Sequence, residues 1–196
     1  IGTDFEYLND FYLGINNSNF YEVIETNSTA SAQQQAQEGN YWDSFLKFNF
    51  NYDKRNQKFQ TSDGFRSFYS LDLPIISDTN TIKNYYNYSH YFDFFEKNFS
   101  SISIYLQSAN SLNNKDIKLS ERINIPSSRL RGFEAGRVGP KDGDDFVGGN
   151  YAYSINFASN IPQLFEESQS IDFLIFADAA DIWGVDYNSS IEGEGI

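Results

Sequence analysis

The 196-residue chain carries a formal net charge of −13 and no cysteine, which excludes disulfide scaffolds, cysteine zinc sites and thiol nucleophiles. Its 14 Lys and Arg never cluster beyond neighbours such as Lys54-Arg55, so a phosphate-tracking nucleic-acid surface is excluded as well. No run approaches the roughly 18 consecutive apolar residues of a membrane helix, so a membrane location would require strands closed into a barrel.

The first alternating segment runs from Asp4 to Ile15. Phe5, Tyr7, Phe11, Leu13 and Ile15 share one parity, and Asp4, Glu6, Asp10 and Tyr12 the other. Residues 16–40 read as a polar, low-complexity loop with room for a helical turn or two. The second strand is Trp42 to Asp53, with Leu46, Phe48, Phe50 and Tyr52 opposed to Lys47, Asn49, Asn51 and Asp53. After the turn signal Ser62-Asp63-Gly64, a third strand spans Phe65 to Leu73 and Pro74 closes it. The fourth, Lys83 to Phe95, is aromatic on both faces, with Tyr86, Tyr88, Phe92 and Phe94 on the even one.

The fifth strand, Phe99 to Ala109, sets Ile102, Ile104 and Leu106 against Ser101, Ser103, Tyr105 and Gln107. A glycine-studded loop follows, roughly residues 110–149, with Arg129-Leu130-Arg131-Gly132-Phe133-Glu134, Gly136 and Gly148-Gly149-Asn150 along it. The sixth strand, Asn150 to Ser159, alternates Tyr151, Tyr153, Ile155 and Phe157 with Ala152, Ser154, Asn156 and Ala158. The seventh is Ser170 to Asp181, and an eighth begins near the end. Both termini fall where alternation is under way or resuming, and both read as truncations.

One apolar and one mostly polar face per strand suits a soluble antiparallel sheet as well as a barrel. Three features favour a transmembrane antiparallel β-barrel: strands of about ten residues, the 19 Phe and 14 Tyr available for aromatic girdles, and connections that alternate between longer and shorter. A soluble β-sandwich stays open as the alternative.

Chemistry-bearing motifs are few. The lone His90 has no nucleophile-elbow pattern beside it, and its parity matches the apolar face. Asp142-Gly143-Asp144-Asp145 lacks the spacing of a calcium loop, and reads as a solvated loop. Glu166 and Glu167 are adjacent, so their side chains diverge rather than flank a glycosidic bond. There is no P-loop or dinucleotide fingerprint. Neither catalysis, nor a cofactor, nor a metal is expected.

Four segments carry a family likeness. Leu130-Arg131-Gly132-Phe133 resembles the arginine-loop signature of the outer-membrane protein assembly factor (BamA) family. Gly148-Gly149-Asn150 is similar to the segment after that loop, and Phe176 to Trp183 to the family's Phe-x-Asp-x-Gly-x-x-Trp strand. Thr61 to Arg66 resembles a periplasmic turn. The likeness covers nearly the whole chain, in the family's order.

The resemblance implies an all-β fragment, residues 1–196, carrying seven or eight strands of a barrel of about sixteen, with the periplasmic domains outside this chain. It implies a location in the bacterial outer membrane and, for the intact protein, folding and insertion of other barrels. The implied partners are unfolded outer-membrane proteins, assembly lipoproteins, periplasmic chaperones and outer-membrane lipid, with no nucleic acid. A two-partner secretion pore or a TamA-like factor shares the arginine motif. The resemblance also implies a structural latch in which Arg131, flanked by Gly132 and Phe133, reaches Asp178 inside the lumen.

Asp178 shares its parity with Asp172, the polar face, so it should point inward. Gly132 and Gly136 would let the backbone turn tightly and approach the wall, and Glu134, Gly148 and Gly149 would support the loop. The chain departs from the family in two places. Ala158 stands where a second acid is expected, leaving Arg131 one acidic partner unless Glu134 or Asp172 compensates. Ala180 replaces the strand glycine.

Overall fold

The alternating segments pair in sequence order to make a single large sheet. The computed structural model describes residues 1–162 and 173–186. Its strands are β1 (Gly2–Leu8), β2 (Phe11–Ile24), β3 (Gly39–Asp53), β4 (Gly64–Ile76), β5 (Thr81–Phe92), β6 (Ser100–Ser111), β7 (Lys141–Asp142), β8 (Asp145–Phe146), β9 (Tyr151–Ile161) and β10 (Phe173–Trp183), with one short helix, α1 (Ala32–Gln35). Eight strands form the sheet in the order β1-β2-β3-β4-β5-β6-β9-β10, all neighbours antiparallel. The β7–β8 hairpin is separate.

The sheet does not close on itself: β1 and β10 lie at opposite ends of the order. No second large sheet covers it among the described residues, which removes the sandwich alternative. The outward side chains stay exposed, Ile155 at 49% and Ile175 at 55%. Aromatic neighbours pair across this outer face, as Phe50 with Tyr69 and Phe65 with Tyr88. No helix is long and apolar enough to cross a membrane among the described residues.

Several boundaries differ from the sequence expectation. The first segment is a hairpin, not one strand: the chain reverses at Asn9-Asp10, and Asp10 takes φ 67° there, a left-handed conformation that Asp tolerates. Phe5 pairs with Leu13, so the predicted parity survives the turn. The stretch expected to be loop from residue 16 continues as β2 to Ile24, paired residue for residue with β3. Only residues 25–38 are loop, and α1 within it has a capping box between Ser31 and Gln34.

Pro74 does not end β4 but lies within it. The β5 ladder stops at Asp72 and Lys83, and the β3 register shifts between Ser44 and Phe45. A missing N–H is tolerated where pairing is interrupted in this way. The regular alternation of loop lengths fails too, because the short turn 77–80 sits at the same end of the sheet as the long loop. The expected eighth strand after β10 lies outside the described residues, as do Glu166, Glu167 and Asp172.

The hydrophobic core lies between the long loop and the concave face of the sheet. Ile117, Ile123, Ile125, Leu130 and Val138 of the loop pack on Tyr105 and Ala109 of β6, Ala152 of β9, and Ala180 and Ile182 of β10. Three of those wall residues are alanines, which leave depth for the branched loop side chains. Each such side chain withdrawn from water contributes about 1.5–3 kcal/mol.

The loop closes on itself through a bridge between Ile123 and Gly149. Just past β10, Asp186 accepts hydrogen bonds from the Ile117 N–H (2.8 Å) and from the Asn150 carboxamide.

Candidate functional site

The loop reaches the wall through a series of tight turns. The Arg129 N–H donates to Pro126 O (2.8 Å) and the Arg137 N–H to Glu134 O (3.2 Å), and Gly132 takes φ 89° between them. Leu130, 5% exposed, seats the turn in the core, and Arg131 next to it faces β10.

The Arg131 guanidinium grips Asp178 through two parallel hydrogen bonds, Nε to Oδ2 at 2.7 Å and Nη2 to Oδ1 at 2.6 Å. This is the bidentate geometry that a planar fork makes with a carboxylate. The Arg131 backbone N–H also donates to Oδ2 (2.9 Å), and the Asn156 carboxamide to Oδ1 (2.8 Å). Four donors therefore converge on one carboxylate whose side chain is 3% exposed. The remaining Nη2 capacity goes to Phe157 O at 3.1 Å. The Phe176 ring lies 4.0 Å from the guanidinium carbon, close enough for a cation–π contact. The hydrogen bond to Asp178 raises the Arg131 pKa, so the arginine stays charged; its partial burial opposes this and is outweighed.

Strand register explains the arrangement around the vacant acid position. Asn156 on β9 is the direct partner of Asp178 on β10, and Ala158 the partner of Phe176. The wall therefore presents an amide and an aromatic face to Arg131 where the resemblance implied a second acid. Glu134 does not compensate: it pairs with Arg137 at 3.5 Å, both well exposed.

A second arginine, Arg129, to which the motif assigned no role, joins the site. The Arg129 Nη2 donates to Asn87 Oδ1 (2.6 Å) and its guanidinium carbon lies 5.3 Å from the Tyr105 ring centroid. Asn156 donates to Arg129 O as well (2.7 Å), so one amide holds both the loop backbone and the acid. Sequence parity places Asn156 on the polar face, and only the strand register sets it directly across from Asp178. Arg129 had no comparable signal.

The loop glycines divide into two kinds. Gly132 and Gly136 have positive φ, but a Cβ at either would meet nothing within 4 Å, so the expected close approach to the wall does not occur there. It occurs at Gly149, where a Cβ would lie 2.6 Å from Trp183 O, and at Gly139, 2.8 Å from Ile182 Cβ. Gly148, at φ 67°, would meet Ile123 O at 2.8 Å. Phe133 is 46% exposed at the loop tip and takes no part in the grip on Asp178.

Asp142 to Asp145 form the turn of the β7–β8 hairpin. Among the described residues no group of His, Asp and Glu is set to hold a metal. His90 lies exposed on the outer face with its ring 6.0 Å from Phe92. At the other end of the sheet, Arg66 donates to Asn51 Oδ1 on the inner wall (2.8 Å), within the segment that resembled a periplasmic turn.

Comparisons with known proteins agree with this architecture. A family model described as the Omp85 superfamily domain matches residues 3–195. A SAM50-like protein of Schizosaccharomyces pombe is 34% identical over 85 residues, which are 42% of this chain and 18% of the yeast protein. The crystal structure of BamA from Haemophilus ducreyi lacking POTRA domains 1–3 superposes with a TM-score of 0.74 at 21% identity, covering 93% of this chain and 41% of that one. At that identity the likeness concerns the fold: the eight-stranded sheet corresponds to part of the wall of a larger barrel. The chain spans less than half the length of either protein.

Proposed function

The chain belongs to the Omp85 superfamily of outer-membrane β-barrels, and from that premise we propose that it is the barrel portion of a factor that folds and inserts β-barrel proteins into the bacterial outer membrane. The observation that carries the reading is the long loop folded back onto the concave wall, with Arg131 clamped on Asp178. A barrel that must admit incoming strands needs a wall whose shape does not depend on its seam alone. A loop docked from inside supplies that support, while the greasy outer face meets lipid.

The work makes and breaks no covalent bonds, so no catalytic residue or cofactor is assigned. Unpaired backbone edges at a barrel seam can template an incoming strand by hydrogen bonding. The partners are unfolded outer-membrane barrels, with assembly lipoproteins and periplasmic chaperones in support. The single large sheet with an apolar outside favours lipid as the surrounding solvent.

The test is reconstitution of the full-length protein in liposomes with an urea-unfolded barrel substrate. Substrate should acquire its heat-modifiable folded form faster than in empty liposomes, and Arg131→Ala should slow it. Folding no faster than in empty liposomes would overturn the reading. Passage of an unfolded passenger into the liposome lumen, without its insertion, would point to a secretion pore instead.

A further inference from the structure

The first limb of the long loop, residues 115–122, ends in a buried charged cluster that the Arg131 site does not use. Lys118 is 2% exposed and Asp43 0%, and the lysine ammonium hydrogen-bonds the Asp43 carboxylate. The same ammonium lies 3.4 Å from Glu22 Oε2 and 4.6 Å from the Tyr41 ring centroid. Ser77 Oγ donates to the other Asp43 oxygen at 2.6 Å, and Ser120 Oγ to Glu22 at 2.8 Å.

Three residues along the same limb, Glu121 accepts from Thr79 Oγ1 (2.7 Å) and Thr81 Oγ1 (2.5 Å), with Lys83 Nζ 3.8 Å from its second oxygen. The Leu119 N–H donates to Gln37 Oε1 at 2.7 Å, which ties the loop after α1 into the assembly.

Burying a lysine this deeply works against its charge. Here the hydrogen bond to Asp43 and the charges of Glu121, Asp43 and Glu22 outweigh that cost, and the Lys118 pKa is raised. Those acids sit on β2, β3 and the loop itself, 75 residues or more from Lys118 in the cases of Asp43 and Glu22. A charge held this way fixes register and position more than it adds stability. The tip is held elsewhere, by Asp178 on β10, Asn156 on β9 and Asn87 on β5. The two clusters have no side chain in common.

We propose that Lys118 is a second latch of the long loop, separable from Arg131, which keeps residues 115–122 docked on β2, β3 and β5 when the tip lets go. The loop then moves in two stages, tip first and first limb second. The proposal concerns docking and not assembly activity, so its failure and the failure of the proposed function are distinguishable.

The test uses the full-length protein in outer-membrane vesicles, with every other cysteine removed and one thiol reporter at a time, Ile117→Cys in the first limb or Leu130→Cys beside the tip. Labelling by a water-soluble maleimide is timed. Arg131→Ala should speed labelling at position 130 and leave position 117 nearly unchanged. Lys118→Met should speed position 117 by at least about tenfold, as expected when a buried carboxylate loses its partner. Lys118→Arg should restore protection, which a merely space-filling role would not require. Asp43→Asn, which keeps its shape, gives the same reading should Lys118→Met not reach the membrane. Unchanged labelling at position 117 in Lys118→Met or Asp43→Asn, or equal acceleration of both reporters by either latch variant, would overturn the proposal.

Discussion

Residues 126–139 and residues 115–122 belong to one loop, yet they hold the wall differently. At the tip, four donors converge on the single carboxylate of Asp178. In the first limb, Lys118 and Glu121 spread their bonds over Asp43, Glu22, Thr79 and Thr81. Losing Arg131 frees the tip outright, whereas losing Lys118 loosens the first limb but leaves Glu121 bonded to Thr79 and Thr81. Substitutions should therefore separate the two limbs by size of effect.

The largest loss is expected for Arg131→Ala in the full-length protein, about 3–5 kcal/mol, because it strands a buried carboxylate. Asp178→Ala should cost less, since Arg131 is 25% exposed and can turn to water. The temperature at which the compact gel form converts to the unfolded one measures both. Equal losses would show that burial of the acid is not what matters.

Gly149→Ala comes next, at about 1–3 kcal/mol, because the added methyl meets Trp183 O and Ile182 with no room to shift. Gly132→Ala has open space around it and should cost about 1 kcal/mol, for its backbone conformation alone. A larger loss at Gly132 would reverse the assignment of where the loop touches the wall.

Asn156→Asp adds an acid beside Arg131 but removes the donations to Asp178 and Arg129 O. A net loss of about 1–3 kcal/mol is expected. Stabilisation instead would mean that a second acid outweighs the amide's two bonds.

Lys118 ties the comparison to pH. A raised lysine pKa contributes stability that is fully present below the ordinary value of 10.5 and lost as pH rises through the raised one. Measured relative to the same thiol in unfolded protein, which removes the rise in thiolate with pH, Ile117→Cys labelling should stay slow through neutral and mildly alkaline pH and speed up only beyond it, with Asp43, Glu22, Glu121, Lys83 and Tyr41 facing the ammonium. A rise of this relative rate near pH 8 would contradict the charge assignment. The smallest effects belong to Phe133→Ala and Glu134→Ala, exposed at the tip, each under about 0.5 kcal/mol in the same gel assay.

The tip was more legible in the sequence than the first limb, for physical reasons. Strand parity is strictly two-residue, so Asp178 could be placed inward from its neighbours alone, and the motif named its partner. Lys118 sits in Lys115-Asp116-Ile117-Lys118-Leu119-Ser120, which has the composition of a solvated turn. Its burial depends on Asp43 and Glu22, brought close only by the sheet.

The same limit hid β2 beyond Ile15. Asn16, Asn17 and Asn19 look like loop, yet the β3 ladder pairs them, and Asn17 also donates to Phe45 O. The hairpin at Asn9-Asp10 lacked glycine, the usual mark of a positive φ. Pro74 misled because proline's cost depends on whether a neighbour needs its N–H, a property of the sheet and not of the residue.

Asp186 binds the chain at Ile117, where the loop departs, and at Asn150, where it returns. Both roots are thereby tethered to the polypeptide that emerges from β10. Neither root can leave the wall without breaking a bond to Asp186, so one carboxylate holds the two ends of the loop together while its tip and first limb are latched elsewhere.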